Sequence, residues 1–402
     1  MSRILIISPG SPCRNPRPLK EAATLGRAGH EVTLLTVSES PALDVLEQTL
    51  VAGLPFRHES VDGNPGDLTR FLRRVRQRLA VQATLAGLPT LHALGHVGAL
   101  RRRALELPAD LTIVHNELSF WIGCDLLRRG RKVAADFEDW YSEDLLPADR
   151  RGRPLAPLRQ LERQLLLHAA YTSTTSAALS VALAARHGAP PPHVLTNSFP
   201  LQPDPHRGPP GSPPAFFWFS QTLGPGRGLE EFCDAWVLTK RPSRLALLGQ
   251  PSPGFDRALL ARLPAEFAAR VTLLPLVPPS QLPGLIAQHD IGLALEQSWI
   301  VNRDLTITNK ILQYFNAGLA VVATPTAGQR EVLARAPGAG QLIELDAPAV
   351  TAAALDDLIG DRARLATMQR SARLAAENIY CWEREAPRLV AIVATALAPP
   401  AP

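Results

Sequence analysis

The sequence predicts an α/β protein made of two doubly wound parallel-sheet domains facing a cleft. Three observations predict it. Short apolar runs alternate with helical segments from end to end, a proline-dense stretch interrupts that alternation midway, and 402 residues exceed one ordinary core.

The first half begins with RILIIS (3–8), a strand whose apolar core is too short for a signal peptide and is broken by Pro9-Gly10. RPLKEAATLGRAG (17–29) has helical spacing and stops at Gly29, and HEVTLLTV (30–37) is the next strand. DLTIVH (110–115) and KVAADF (132–137) follow as strands. A helix at 158–170 leads to YTSTT (171–175), and a further helix to HVLTNS (193–198). Apolar runs of this length between helices imply strands buried on both faces of a parallel sheet.

Residues 199–214, FPLQPDPHRGPPGSPP, contain seven prolines and read as a semi-rigid linker. The alternation then restarts with strands at 215–220, 244–249, 270–275, 290–295 and 319–324. Helices lie between them, including 229–239 and 308–317, and the last helices span about 361–397. The expected domains are therefore 1–198, a linker at 199–214, 215–378, and a terminal segment at 379–402.

Composition narrows the function classes. At 46% hydrophobic and 20% charged the chain reads as a soluble globular protein, and charges or prolines interrupt every window long enough to span a membrane. Cys13, Cys124, Cys233 and Cys381 lie far apart with no metal-ligand spacing, so they read as free thiols of a cytosolic protein. The net charge of +5 is concentrated: eight arginines and no acidic residue lie between Arg70 and Arg103. The run RFLRRVRQRLA predicts a helix with a basic side including Arg73, Arg74 and Arg76, suited to an anionic membrane surface; the alternatives are a solvated face or contact with the other domain. No binding motif or aromatic interleaving points to nucleic acid.

Open parallel sheets bind ligands beyond the carboxyl ends of their strands, so the polar residues there are the candidates. QTLGPGRGLEE (221–231) is a glycine-rich turn opening onto a helix, with Arg227 as a fixed charge. NRDLTITNKILQYFNAGLAVVAT (302–324) places Asn309 and Lys310 in the first turn of a helix, with Gln313 one turn on. A lysine there opposes the helix dipole, a misfit that an anion would relieve. Strand 110–115 ends in His115, and strand 132–137 is followed by Glu138 and Asp139, an acidic cluster that could bind sugar hydroxyls or cap the next element. A histidine so placed can orient a hydroxyl, although a lone histidine is commonly structural. No Asp-x-Asp occurs, which argues against a metal bridging a diphosphate.

At these residues the chain resembles the GT-B glycosyltransferases, specifically the retaining family 4, also called glycosyl transferases group 1. SQTLGPGRGLEEF, VPPSQLPGLIAQHDIGLALE and TNKILQYFNAGLAVVATPTAGQREVL carry the likeness in the second half, and SPGSP, GHEVTLLT and VLTNSFP in the first. The resemblance implies two Rossmann-like domains, an acceptor-binding one and a nucleotide-sugar-binding one, with a last helix crossing back from Tyr380 and Trp382 to the first domain. It also implies Gly10, Gln221, Arg227, Asn309, Lys310 and Gln313 at the donor, and His115 near the transferred sugar.

Two departures stand out. The family's paired glutamates fall on Leu305 and Gln313, leaving Asp304 or Glu296 as stand-ins, and its phosphate-binding arginine falls on Gln221. The implied reaction is metal- and cofactor-independent transfer from a nucleotide sugar to a lipid-linked or glycan acceptor, in cell-surface polysaccharide or glycolipid synthesis, at the inner face of a membrane. The alternatives are a nucleotide-sugar epimerase of the same fold and a non-catalytic sugar-nucleotide-binding protein.

Overall fold

The structure is a computed structural model that describes residues 1–61, 67–146, 150–203 and 213–399. Within the Pro-rich linker expected at 199–214, positions 204–212 lie outside the described residues. The chain divides into two compact units: Met1–Leu195 together with the chain from Ala386 onward, and Thr196–Glu385.

The first unit carries β1 (Arg3–Ile7), β2 (Glu31–Val37), β3 (Arg57–Val61), β4 (Leu111–His115), β5 (Val133–Phe137), β6 (Thr172–Thr174) and β7 (His193–Val194). They form one sheet in the order β3-β2-β1-β4-β5-β6-β7, and every pairing is parallel. All five residues of β4 and of β5 are buried, as strands covered by helices on both faces require. The helix Pro16–Arg27 follows β1. Its start is fixed by Asn15, whose side chain accepts from the Arg17 backbone N–H, and by proline at the first turn.

The second unit carries β8 (Ala215–Leu223), β9 (Arg244–Pro251), β10 (Val271–Leu274), β11 (Ile291–Ala294), β12 (Ala320–Ala323) and β13 (Gly340–Leu342). Their order, β10-β9-β8-β11-β12-β13, repeats the plan of the first sheet, again wholly parallel. Alternate residues of β8 feed two cores: Phe216 and Trp218 pack with Trp236, Leu247 and Leu293, while Phe217 and Phe219 pack with Ile311, Leu312 and Phe315.

The helix Asn309–Asn316 belongs to the second of these cores through Ile311, Leu312, Tyr314 and Phe315, all buried. It ends in a Schellman arrangement: the Leu319 N–H donates to the Tyr314 carbonyl, the Gly318 N–H donates to that of Phe315, and Gly318 has φ +69°. The linker's first residues are latched to the last residue of this helix. Asn316 Nδ2 donates to the Pro200 carbonyl, the Gln202 N–H donates to Asn316 Oδ1, and Arg373 donates to the carbonyls of both Asn316 and Gln202.

Gly292 in β11 is what lets this helix lie close. A Cβ there would stand 2.2 Å from the Tyr314 ring. Gly292→Ala is expected to destabilise the chain by about 1–3 kcal/mol through overpacking, read as a lower denaturant midpoint. An unchanged midpoint would mean that the ring is free to move.

Several boundaries differ from the sequence-based expectation. β3 and β13 were not foreseen: each lies at a sheet edge with mostly half-exposed residues, so neither has a continuous apolar run. β8 runs on to Leu223 past a register shift after Phe219, so Gln221 lies on the strand rather than in the turn. The expected strand at 193–198 is only two residues long. A short helix, Val301–Leu305, precedes the one at 309, and the C-terminal helices are Arg362–Asn378 and Trp382–Leu397.

Candidate active site

In the second unit, four pieces of chain converge beyond the carboxyl ends of the strands. The turn after β8 has Gly226 and Gly228 at positive φ. Gly228 presses on the end of β11, where a Cβ would sit 2.6 Å from the Leu295 carbonyl oxygen. Arg303, on the helix Val301–Leu305, donates from Nη1 to the Gly226 carbonyl at 2.9 Å and so ties the turn to the segment after β11. Arg227 Nη1 donates to Ser220 Oγ at 3.1 Å. The helix Leu229–Trp236 begins directly after the turn.

Glu296, the second residue after β11, is buried and holds the centre. Lys310 Nζ donates to its Oε1 at 2.6 Å, and Gln329 Nε2 donates to its Oε2 at 3.0 Å. The Lys310 ammonium also lies over the Trp218 ring, 5.7 Å from its centroid. The anion that relieves Lys310's misfit with the helix dipole is therefore, within the chain itself, Glu296. One of the three ammonium N–H donors is used by that carboxylate, so Lys310 is held in place with donor capacity to spare.

Of the two carboxylates left open by the sequence, the structure gives them different work. Asp304 Oδ1 accepts from the Ala327 backbone N–H at 3.0 Å, which fixes the start of the helix Ala327–Arg335. Glu296 orients Lys310. Asn309 and Gln313 are half-buried and Gln221 is exposed, with no side-chain hydrogen bond for any of the three among the described residues. Sequence reasoning missed Arg303, Gln329 and Trp299. Trp299 is 55% exposed on the loop between Glu296 and Arg303, both of which are pinned. Its only sequence signal is an aromatic residue in a loop that the fold had no need to fill.

The first unit places His115 at the end of β4 with no exposed surface. Its Nδ1 lies 3.0 Å from Glu138 Oε1 and its Nε2 3.1 Å from Glu21 Oε2. Beside it, Arg17 is equally buried. It donates from Nε and Nη2 to Asp136 Oδ2 at 2.9 and 2.6 Å and from Nη1 to the Leu195 carbonyl, and its Nε lies 3.4 Å from Glu21. Ser173 Oγ donates to Asp136, and Asn15 Nδ2 donates to Glu138.

Burial alone would pull the His115 pKa down. The Glu21 charge and the hydrogen bonds to Glu138 and Glu21 outweigh burial and hold it at about 10. Burial raises Glu21, opposed by His115, whereas Arg17 and His115 hold Asp136 low against its own burial. His115 is thus an imidazolium with both nitrogens donating. It has no lone pair with which to take a proton, so the role open to it in this arrangement is to orient Glu138. Glu138, which it orients, keeps 11% of its side chain exposed.

Glu21, His115 and Asp136 bring three ligand atoms within 4.8 Å of one another. Arg17 and the imidazolium already fill the space between those carboxylates, so the donor set suits cations of the chain rather than a divalent ion. Gly10 lies in the loop after β1, where a Cβ would be 3.9 Å from Glu39 Oε1. Arg73 is half-buried and Arg74 and Arg76 exposed on the helix Asp67–Leu85, with Arg76 Nη2 3.0 Å from His92 Nε2. A separate cavity of about 240 Å³ in the second unit, lined by Ala215, Arg244, Thr272 and His289, reaches the first residues of β8 and β9, at the edge opposite the polar cluster.

Residues 16–200 match the model of a glycosyl transferase 4-like domain, and residues 214–361 that of glycosyl transferases group 1. No curated protein matches the chain. Among solved structures, it is similar to Alr3699/HepE of Anabaena in complex with UDP and glucose, with TM-score 0.71 and 17% identity over 98% of this chain and 100% of that one. Sucrose-phosphate synthase of Thermosynechococcus elongatus gives TM-score 0.71 and 14% identity, covering 98% of each chain. WaaG, a glycosyltransferase involved in lipopolysaccharide biosynthesis, gives TM-score 0.60 and 14% identity over 97% of this chain and 99% of that one.

Proposed function

The chain belongs to the GT-B glycosyltransferases, joining a 4-like domain to a group 1 domain, and from that premise we propose that it transfers a sugar from a nucleoside diphosphate to an acceptor hydroxyl with retention and without a metal. One observation carries the reading. A lysine held by a buried carboxylate, a glycine turn held by an arginine, and a helix start meet at one end of the second sheet.

In the proposed reaction the bond from the sugar's anomeric carbon to the diphosphate oxygen breaks, and its electron pair leaves with the diphosphate. The acceptor oxygen forms the new bond on the same face, and its proton passes to the departing phosphate oxygen. Charge therefore grows on the diphosphate. Lys310, Arg227 and the backbone N–H groups after Gly228 stabilise it as groups already fixed in place, which costs no reorganisation during the reaction. Asn309 and Gln313, on the same helix, are placed for the ribose hydroxyls. Trp299 offers a flat apolar surface to a sugar or base ring. In the first unit, Glu138 is the carboxylate that receives an acceptor or sugar hydroxyl, and His115 sets its orientation.

UDP is the first nucleotide to test, because the HepE structure contains it. UDP in excess, with EDTA present, is expected to raise the melting temperature through mass action, GDP and ADP serving as comparisons. Arg227→Ala should reduce the shift. No shift from any nucleotide, or a shift that appears only on adding magnesium, would overturn the reading or its metal-free part respectively.

The helix Asp67–Leu85 supports a membrane-bound acceptor. Phe71, Leu72 and Leu79 are 62, 56 and 65% exposed, and their helical spacing gathers them into one stripe flanked by Arg76 and Arg78. An exposed apolar stripe edged by arginines fits the interface of an anionic bilayer, with the guanidinium groups at the phosphates. A variant carrying Glu at 73, 74 and 76 is expected to sediment poorly with phosphatidylglycerol vesicles under conditions in which the native chain sediments. Equal sedimentation would assign the helix to another task.

A further inference from the structure

Glu138 opens a tight turn after β5, and that turn is held by a carboxylate that the transfer chemistry does not use. Glu162, on the helix Leu155–His168, has no exposed surface. Its Oε1 accepts from the Ser142 N–H at 2.9 Å and its Oε2 from Ser142 Oγ at 2.7 Å. Ser142 is equally buried, and beside it the Glu143 N–H closes the turn by donating to the Trp140 carbonyl at 2.8 Å.

What Glu162 lacks is a cation. On the turn, Glu143 already pairs with Arg150 at 2.6 Å and with Arg159 at 2.8 Å. Arg163, next on the helix, and Arg186, on the helix Ala177–His187, are exposed. His187 Nε2 lies 3.9 Å from Glu162 Oε2, buried with no hydrogen-bond partner among the described residues. It supplies no charge: burial lowers its pKa, Arg186, Arg163 and Arg159 lower it further, and Glu143 only opposes them. Burial, with the Glu143 charge behind it, lifts the Glu162 carboxyl to about 7 against the hydrogen bonds from Ser142.

A neutral carboxyl suits this place. Its O–H can donate to Ser142 Oγ over the same 2.7 Å, and its carbonyl oxygen still accepts from the Ser142 N–H. An ionised carboxylate there is a buried charge with no counter-ion, and it is better solvated once the turn has moved off the helix.

We propose that Glu162 is a proton-controlled latch on the turn that carries Glu138, closed while the carboxyl is neutral and loosened when it ionises. The binding role of Glu138 rests on the transferase reading, but the latch does not. With the carboxyl at about 7 in the closed turn and at the ordinary 4.5 once released, opening grows about tenfold per pH unit between those values and levels off above them.

The test is hydrogen exchange of the full chain, read by mass spectrometry on peptides covering residues 138–146 and corrected for the intrinsic rate. Protection is expected to fall by about tenfold or more between pH 5.5 and pH 7.5. Glu162→Gln, permanently neutral, should keep the protection and lose its pH dependence, whereas Ser142→Ala should lose protection at both pH values. Native protection that is level with pH, a fall that persists in Glu162→Gln, or equal protection in the native and Ser142→Ala chains would overturn the latch. Absence of a UDP melting shift would instead strike the transferase reading and leave the exchange result standing.

Discussion

Lys310→Ala is expected to lower kcat/KM for a nucleotide-sugar donor by about ten- to a hundredfold, since a charge-assisted hydrogen bond to a phosphate contributes about 1.5–3 kcal/mol. The substitution has a second effect. It leaves Glu296 buried with one carboxylate oxygen facing Gln329 Nε2 and the other without its cation. That uncompensated charge repels the incoming diphosphate and costs stability. Glu296→Gln separates the two effects. It keeps the ammonium and frees it from its partner, so donor affinity should fall far less than in Lys310→Ala, while kcat falls because Lys310 is no longer fixed. A double-mutant cycle between positions 296 and 310, followed by UDP binding and by initial rates, reads the coupling. If Lys310→Ala binds UDP as tightly as the native chain, the ammonium does not meet the diphosphate and the donor site lies elsewhere.

His115→Gln is expected to destabilise the first unit by about 3–5 kcal/mol, because removing one partner of a buried ion cluster leaves the others uncompensated. Glu21 and Glu138 would lose the imidazolium that both accept from. The sign with pH follows from the direction of the shift. His115 sits at about 10 in the folded chain against an ordinary 6.5. Its contribution is therefore present in full below about 6.5 and is lost as pH rises through about 10. Glu21, raised by burial, acts in the same sense. The urea midpoint of the native chain should fall between pH 7 and pH 10, and His115→Gln should flatten that slope. A native midpoint that is level over this range would mean that His115 is neutral in the fold, and would make it a candidate base.

The plan of the fold was legible because its central strands are buried on both faces and so read as continuous apolar runs. The same rule explains what was not. RHESV in β3 and GQL in β13 lie at sheet edges, half in solvent, and carry no such run. In the candidate site of the second unit, what was legible was a residue that conflicts with its own element, as Lys310 does at a helix start. The partner was not, because Glu296 and Asp304 are chemically alike and only the fold assigns one to Lys310 and the other to the helix at 327. Arg303 and Gln329 act on groups 77 and 33 residues away, and no local pattern marks them. His115 was found by its place after a strand, yet its burial depends on Glu21, 94 residues earlier.

The five ions at 17, 21, 115, 136 and 138 form one linked set of charges, two positive and three acidic. Such a set is balanced only as a whole. A chimera with a distant homologue that crosses over between positions 21 and 115 would join half of one parent's ledger to half of another's and bury the difference. Fragment exchange in this lobe should therefore place its junctions before position 17 or after position 138, keeping the set intact.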